Sequence, residues 1–196
     1  MRLYYLYGTM NSAKSLNLLA KAHQFEEVGN DIILMKPFKD SRDKGVIKTR
    51  AGLQKTCYLI HSDENIEETI DKLYPADVLF VDEVQFLSKE QINQLWRVSR
   101  KGTRVFCYGL KTSANNELFE ASKQLLIMAD RFEEIISQCQ FCNCKATTHI
   151  KIGGNSEDIE VGDIKANSKT SVRYESVCQN CYEKHTINQS GGKQCL

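Results

Sequence analysis

Along residues 1–138, short apolar runs alternate with segments whose apolar residues recur every three or four positions. The apolar runs predict β-strands at 2–7, 31–35, 77–81, 103–108 and 131–137. The periodic segments predict helices at 14–28, at 66–73, after Ser88, and at 117–128, the last with Leu118, Ala121, Leu125 and Met128 facing inward. Alternating strands and helices are typical of a parallel sheet with covering helices. The predicted fold class is therefore α/β, and 1–138 is predicted to form one domain.

Two of the predicted helices carry a start signal. Asn65 with Glu68, and Ser88 with Gln91, have the spacing of a capping box, in which side chains bond the first exposed backbone N–H groups of a helix. Helices are therefore predicted to begin directly after Asn65 and Ser88.

Beyond residue 138 the pattern changes to pairs of cysteines on either side of a stretch rich in Gly, Asn, Asp and Ser at 153–171. Weak strand signals flank this stretch, so residues 139–196 are predicted to form a small second domain, a hairpin clipped by metal and carrying a long loop. The final residues, 189–196, are predicted to be a loose tail.

Charge and composition bear on the kind of partner and the cellular location that we expect for the protein. The 26 Lys and Arg residues nearly balance the 25 Asp and Glu residues, so overall charge gives no reason to expect nucleic acid or an anionic membrane as a partner. No apolar run approaches the roughly 20 residues that span a bilayer, and the N-terminus leads into a glycine turn rather than a signal-peptide cleavage site. We therefore expect a cytoplasmic protein, in which clustered cysteines indicate a metal site rather than disulfides.

The first strand is followed by a segment that resembles a phosphate-binding loop. Its residues are Gly8, Thr9, Met10, Asn11, Ser12, Ala13, Lys14 and Ser15. In a loop of the form GxxxxGK[ST] between a strand and a helix, backbone N–H groups surround phosphate oxygens, the lysine adds positive charge, and the hydroxyl can bind Mg²⁺. The segment alone predicts binding of a nucleotide, with the Ser15 hydroxyl as a ligand for Mg²⁺.

One position of the loop departs from the motif, because Ala13 stands where glycine is expected. Alanine is harmless there if φ is negative, but its Cβ is unfavourable if φ is positive. The sequence does not decide between these two conformations.

A second signal follows the apolar strand at 77–81, which ends in Asp82 and Glu83. Acids at such a strand end can lie beside bound phosphates and metal. Asp82 is predicted to hold Mg²⁺, and Glu83 to orient or deprotonate the nucleophile.

Four cysteines form two CxxC pairs, Cys139 with Cys142 and Cys178 with Cys181. Four thiolates satisfy tetrahedral Zn²⁺ and leave no position open for water, so one structural zinc ion is predicted. Cys144 is an alternative to Cys142, and His185 is an alternative to Cys181.

Taken in this order, the motifs resemble those of the type II thymidine kinases, the compact cellular and bacterial kind. The matching segments are 8–15, 39–42, 82–86, 108–110, 117–119 and 174–181. The resemblance implies a phosphate-loop NTPase-like sheet with a small zinc-ribbon-like domain whose long loop, called the lasso, spans about 153–173. It further implies transfer of the ATP γ-phosphate to the 5′-hydroxyl of thymidine, feedback inhibition by dTTP, and a homotetramer.

The resemblance also implies roles for individual residues. Glu83 would accept the hydroxyl proton, while Lys14 and Arg42 would neutralise charge on the transferred phosphoryl group. ATP would contact residues 8–15 together with Asp82 and Gln85. The nucleoside would contact Met10, Phe86, Phe119 and Tyr174.

The chain departs from the family pattern in two further places. Ser113, Ala114 and Asn116 replace a segment that normally includes an aromatic residue and a glycine, and 168–170 replaces an Ile-Gly-Gly sequence ahead of Tyr174. Altered base preference and a regulatory relative with weak or lost turnover are therefore alternative hypotheses. A nucleic-acid-dependent ATPase is a third, which the near-zero net charge opposes.

Overall fold

A computed structural model of the chain describes residues 2–39, 45–73, 75–152 and 173–190. Within these ranges, a six-stranded sheet has the order β5-β2-β6-β7-β1-β8, and every neighbouring pair is parallel. The strands are β1 (Leu3–Tyr7), β2 (Ile32–Pro37), β5 (Tyr58–Ile60), β6 (Val78–Val81), β7 (Arg104–Gly109) and β8 (Arg131–Glu134). The predicted α/β class is confirmed.

Helices cover both faces of this sheet. They are α1 (Lys14–Glu27), α2 (Ile66–Leu73), α3 (Lys89–Lys101) and α4 (Glu120–Met128). The core on one face joins α1 to Leu6, Phe80 and Tyr108. On the opposite face, α2, α3 and α4 pack over Tyr5 and Leu79. Because successive strand residues point to opposite faces, the apolar runs of β1 and β6 serve both cores.

The strand order places two predicted functional segments together. β6 and β1 flank β7 and run parallel to it, so all three strands end at the same edge of the sheet. The phosphate loop follows β1, and Asp82 and Glu83 follow β6. The two segments therefore emerge side by side, on either side of Gly109 at the end of β7.

The second unit is a hairpin backed by a helix. β9 (Thr148–Ile152) pairs antiparallel with β10 (Arg173–Val177), and α5 (Gln179–Ser190) follows. The hairpin was predicted, whereas α5 was not, since its sequence lacks a clear apolar stripe. The predicted loose tail begins at residue 189, but the helix extends through Ser190.

Two other differences lie within residues 1–138. A small hairpin of β3 (Val46–Lys48) and β4 (Gln54–Thr56), followed by the edge strand β5, occupies a stretch for which no elements were predicted. The helix predicted at 117–128 begins at Glu120, because Leu118 instead forms an isolated bridge with Thr112 and Phe119 is extended. Leu118 is 47% exposed, so its predicted inward position is wrong.

No helix among the described residues has both the length and the apolar character needed to cross a membrane.

Candidate active site

The loop between β1 and α1 makes close backbone contacts on both sides. A Cβ atom on Gly8 would lie 2.6 Å from the carbonyl oxygen of Ile135, so no side chain fits there. The backbone N–H of Gly8 donates to the carbonyl of Gly109 at 3.3 Å, which ties the start of the loop to the end of β7. Thr9 and Ser137 are joined by a 2.6 Å hydrogen bond between their hydroxyls.

Lys14 places its ammonium group inside the loop. Its Nζ donates to the carbonyl of Thr9 at 2.6 Å, and the residue is only 8% exposed. Burial lowers the pKa of Lys14 below its ordinary value, while the charges of Glu83 and Asp82 act in the opposite direction.

Ser15 and Asp82 bring together the two predicted magnesium ligands. The Ser15 hydroxyl donates to Asp82 Oδ2 at 2.7 Å, and the Asp82 carboxylate is buried. Burial, and then repulsion from Glu83, raises the pKa of Asp82, while the bond from Ser15 opposes this shift. A hydroxyl and a carboxylate are oxygen ligands of the kind that Mg²⁺ prefers, so these residues fit the ion.

Glu83 is held in an uncommon backbone conformation. Its φ is +51° and its ψ is +38°, in the left-handed region that non-glycine residues seldom adopt. The Asp82 carboxylate accepts the Glu83 N–H at 3.0 Å, and Gln85 Nε2 donates to Glu83 Oε2 at 2.6 Å. Gln85 Oε1 in turn accepts the N–H of Leu110 at 3.0 Å. The carboxylate is thereby oriented from both β6 and β7.

Ala13 also adopts the left-handed conformation, with φ of +60° and ψ of +28°. This answers the question that the sequence left open, because the position does require the backbone that glycine adopts most easily. Asn11 has a similar φ of +62°. The loop thus holds two non-glycine residues in this conformation, which costs of order 1–2 kcal/mol for alanine and less for asparagine.

A cavity of about 880 Å³ joins the phosphate loop to the two acids. Met10, Phe86, Phe119 and Tyr174, the predicted nucleoside contacts, all line it. The rings of Phe86 and Phe119 meet edge to face at 6.3 Å. Ser113 and Ala114, two of the three positions where the sequence departs from the family pattern, also form part of its wall, as does Asn115 between them and the third position, Asn116.

The cavity wall includes residues that the sequence analysis missed. Lys48 and Arg50 reach it from the hairpin of β3 and β4, and Lys36 reaches it from β2. Lys48 lies on a strand of three residues, Arg50 lies in the turn that follows it, and Lys36 lies on an otherwise apolar strand. No local sequence pattern therefore identified these cations as site residues.

His149 is a further residue that was missed. It is 4% exposed, lines the cavity, and meets the ring of Tyr174 edge to face at 6.2 Å. Burial, with a smaller contribution from the charge of Lys14, lowers the pKa of His149 to about 4, so the imidazole is neutral at pH 7. No motif at this position identified it.

Four sequence predictions lie wholly or partly outside the described residues. They are the catalytic role of Arg42, the lasso over most of 153–173, the substituted segment 168–170, and residues 191–196 of the predicted loose tail.

The four predicted metal ligands lie together. The Sγ atoms of Cys139, Cys142, Cys178 and Cys181 are all within 4.8 Å of one another. The Cys142 sulfur is 3.7 Å from that of Cys178 and 3.8 Å from that of Cys181. Sulfurs bound tetrahedrally at 2.3 Å from zinc are about 3.8 Å apart, so the spacing fits this ion.

The alternative ligands lie elsewhere. Cys144 is exposed and outside the cluster, and His185 stacks on Phe141 at 4.3 Å. Burial opposes ionisation of Cys139, but N–H groups of Cys178 and Phe141 lower its pKa to about 6 and favour the thiolate that binds metal. The cysteine cluster is thus suited to hold a structural metal such as zinc.

The parallel sheet, the loop around Lys14 and the acids at the end of β6 define a phosphate-loop nucleotide-binding protein. The model of the thymidine kinase family matches residues 1–182. A thymidine kinase of Streptococcus gordonii is 37% identical over 195 residues, covering 95% of this chain and 98% of the relative. The chain belongs to the thymidine kinase family, and family membership makes it a kinase.

Other streptococcal relatives agree with this assignment. A thymidine kinase of Streptococcus pyogenes is 40% identical over 166 residues, covering 83% of this chain and 87% of the relative. One from Streptococcus agalactiae is 40% identical over 178 residues, covering 82% and 94%. A solved Pif1 helicase from Candida albicans has a TM-score of 0.43 and 12% identity, over 69% of this chain and 36% of that one, which is too distant to bear on function.

Proposed function

We propose that the protein transfers the γ-phosphate of ATP to the 5′-hydroxyl of thymidine. The observation that carries this proposal is the convergence on one cavity of the phosphate loop, the Asp82–Glu83 pair and the aromatic wall of Phe86 and Phe119. Family membership supports the same reaction. ATP, thymidine and Mg²⁺ are the implied substrates and ion.

The proposed chemistry assigns a separate role to each side of the cavity. Backbone N–H groups of the loop bind the phosphates, and Lys14 offsets the negative charge that develops during transfer. Ser15 and Asp82 would hold Mg²⁺, which neutralises phosphate charge when it is bound with ATP. Glu83 accepts the proton of the 5′-hydroxyl as the oxygen bonds to the γ-phosphorus, and ADP leaves as the bond to the β,γ-bridging oxygen breaks.

Other residues position the substrates. Met10, Phe86, Phe119 and Tyr174 would contact the nucleoside. Gln85 donates a hydrogen bond to Glu83 and would contact ATP. Arg42 would add a second positive charge to the transferred group. The proposal has five further parts: a single Zn²⁺ on the four cysteines, feedback inhibition by dTTP, a homotetrameric assembly, a cytoplasmic location, and a division into two domains at residue 138.

A nucleoside panel tests the reaction directly. Purified protein with ATP, Mg²⁺ and each common nucleoside is expected to phosphorylate thymidine best. A Glu83→Gln variant should bind ATP normally but lose about 10²–10⁴-fold in kcat, the contribution usual for a general base. Absence of phosphorylation on every nucleoside would contradict the proposed function. Retention of most activity by Glu83→Gln would assign the base elsewhere.

One observation favours a second candidate function. Because Ala13 holds a strained conformation within the phosphate loop, a nucleotide-binding regulatory relative with weak turnover remains the alternative hypothesis. Wild-type turnover in the ordinary kinase range of roughly 1–100 s⁻¹ would refute it.

A further inference from the structure

The strand β10 connects the cysteine cluster with the cavity. Tyr174 lies on it and lines the cavity, Ser176 follows two positions later, and Cys178 comes directly after the strand ends. Because side chains two apart point to the same face of a strand, Tyr174 and Ser176 share one face. That face is directed toward the nucleotide-binding domain.

Ser176 contacts the phosphate loop itself. Its hydroxyl donates a hydrogen bond to the backbone carbonyl of Met10, 166 positions away in the sequence. The residue is 7% exposed, and its register partner on β9 is His149, which also lines the cavity. The two strands of the hairpin therefore present adjacent buried polar side chains to the loop and its cavity.

The loop that Ser176 contacts needs restraint from outside. Asn11, the residue after Met10, has a φ of +62°, and Ala13 has a φ of +60°. This conformation is tolerated by asparagine but unfavourable for alanine, so at Ala13 it persists only where surrounding structure fixes the backbone. A hydrogen bond to the Met10 carbonyl restrains the peptide unit that directly precedes Asn11.

Further contacts join the same unit to another part of the cavity wall. The Tyr182 hydroxyl on α5 donates to the carbonyl of Ala114 at 3.1 Å, and the Thr148 hydroxyl donates to the side-chain oxygen of Asn116. These bonds reach the segment that follows β7 rather than the phosphate loop. The hairpin is thus held against the nucleotide-binding domain independently of Ser176, which lets its hydroxyl act from a fixed position.

We propose that Ser176 is a positioning residue for ATP, which fixes the Met10 carbonyl and thereby the conformation of the phosphate loop. The inference rests on the proposed binding of ATP by this loop. Loss of the hydroxyl releases the peptide before Asn11, so the loop's N–H groups converge less well on the phosphates. ATP binding should therefore weaken more than nucleoside binding, which involves the loop only through Met10, while metal content stays as it is.

The test compares Ser176→Ala, Ser176→Thr and Thr186→Ala with the wild-type protein. Ser176→Thr keeps a hydroxyl at the same position. Thr186→Ala removes a hydroxyl that donates to carbonyls of its own helix, α5, in the same unit. Calorimetry measures binding of Mg²⁺ with a non-hydrolysable ATP analogue and, separately, of thymidine. Hydrogen exchange measures the backbone of residues 9–13, and elemental analysis measures bound zinc.

Ser176→Ala is expected to weaken binding of the ATP analogue about 5- to 20-fold, the range for losing one buried hydrogen bond. Exchange at residues 9–13 should accelerate by a similar factor, while zinc content remains within twofold and thymidine binding weakens less than analogue binding, because only Met10 is shared. Ser176→Thr and Thr186→Ala should behave like the wild type.

Three results would overturn the inference. Unchanged analogue binding and loop exchange in Ser176→Ala would show that the contact does not position the loop. Loss of zinc or of folding in that variant would assign Ser176 a structural role instead. If Thr186→Ala weakened binding of the ATP analogue as much as Ser176→Ala does, the effect would come from disturbing the hairpin unit in general rather than from the contact with Met10. If the wild-type protein itself fails to bind the analogue, the proposed function fails, a result distinct from these three.

Discussion

The two regions of the molecule hold their functional residues by different means. The nucleotide-binding domain has two apolar cores, one on each face of a six-stranded sheet. The hairpin unit has one small core, in which Cys139 and Cys178 pack with Ile150 and Val177, flanked by Cys142 and Cys181. Half of the residues in this core are thus the same residues that would bind the metal.

This difference implies different sources of stability. Burial of side chains such as Phe80 and Leu79 at the centre of a sheet stabilises a fold without any ligand. In the hairpin unit, burial of so few apolar side chains does not offset the conformational entropy that is lost when the segment folds. The hairpin unit should therefore depend on its metal, whereas the nucleotide-binding domain should not.

The largest expected effect comes from breaking the cysteine cluster. Cys178→Ser should lose most of the bound zinc, because structural zinc sites contribute about 10–16 kcal/mol in small peptides and need every thiolate. The described parts of residues 139–190 should then exchange amide hydrogens rapidly, while β1, β6 and β7 stay protected. Hydrogen exchange with elemental analysis measures both. Cys144→Ser, at an exposed cysteine outside the cluster, is the control and should keep its zinc.

Equal loss of protection in β6 and β10 would contradict the comparison, since it would mean that the two regions unfold as one.

A core substitution in the sheet should have the opposite pattern. Phe80 is fully buried on β6 and stacks on Phe106 at 5.1 Å. Phe80→Ala should lower the free energy of unfolding by about 3–5 kcal/mol, the usual loss for truncating a buried aromatic ring. Urea denaturation measures this loss, and zinc content should not change. Ile127→Ala, at a side chain that is 70% exposed, is the control and should stay within about 0.5 kcal/mol.

A loss below about 1 kcal/mol for Phe80→Ala would show that the sheet core is not the main source of stability.

The sequence analysis succeeded where local patterns determine structure. The apolar runs of β1 and β6, and the motif residues Lys14 and Asp82, are read from neighbouring positions, and the parallel order of the sheet then brings them together. The four cysteines were equally clear, since their spacing matches a known coordination geometry. In the structure these four cysteines lie together, whereas Cys144 and His185 lie outside the cluster.

Other features depend on contacts that no local pattern records. The β3 and β4 strands have three residues each, too few to show alternation, so Lys48 and Arg50 were not recognised as cavity residues. His149 is placed at the cavity by the pairing of its strand with β10. Leu118 lies outside the helix because it forms a bridge with Thr112. The contact between Ser176 and Met10 joins opposite ends of the chain.

The smallest expected effect concerns the phosphate loop. Ala13 has a φ of +60°, where alanine is strained and glycine is not, so Ala13→Gly removes that strain. Glycine also gives the unfolded chain more conformational freedom, which lowers the free energy of unfolding by roughly 0.5–1 kcal/mol and offsets part of the gain from relieving the strain. The net expectation is a rise of about 0.5 kcal/mol in the free energy of unfolding, measured by urea denaturation.

Ala20→Gly is the matched control, because Ala20 is exposed within the same helix, α1, that begins after Ala13. There the backbone is helical and glycine should cost about 0.5–1 kcal/mol, the opposite sign. Kinase assays on both variants separate stability from activity. If Ala13→Gly raises kcat many-fold over a nearly inactive parent, the strained alanine limits turnover and the regulatory alternative gains support. If it destabilises the protein as much as Ala20→Gly does, the neighbouring structure favours the alanine, and strain at this position does not weaken the loop.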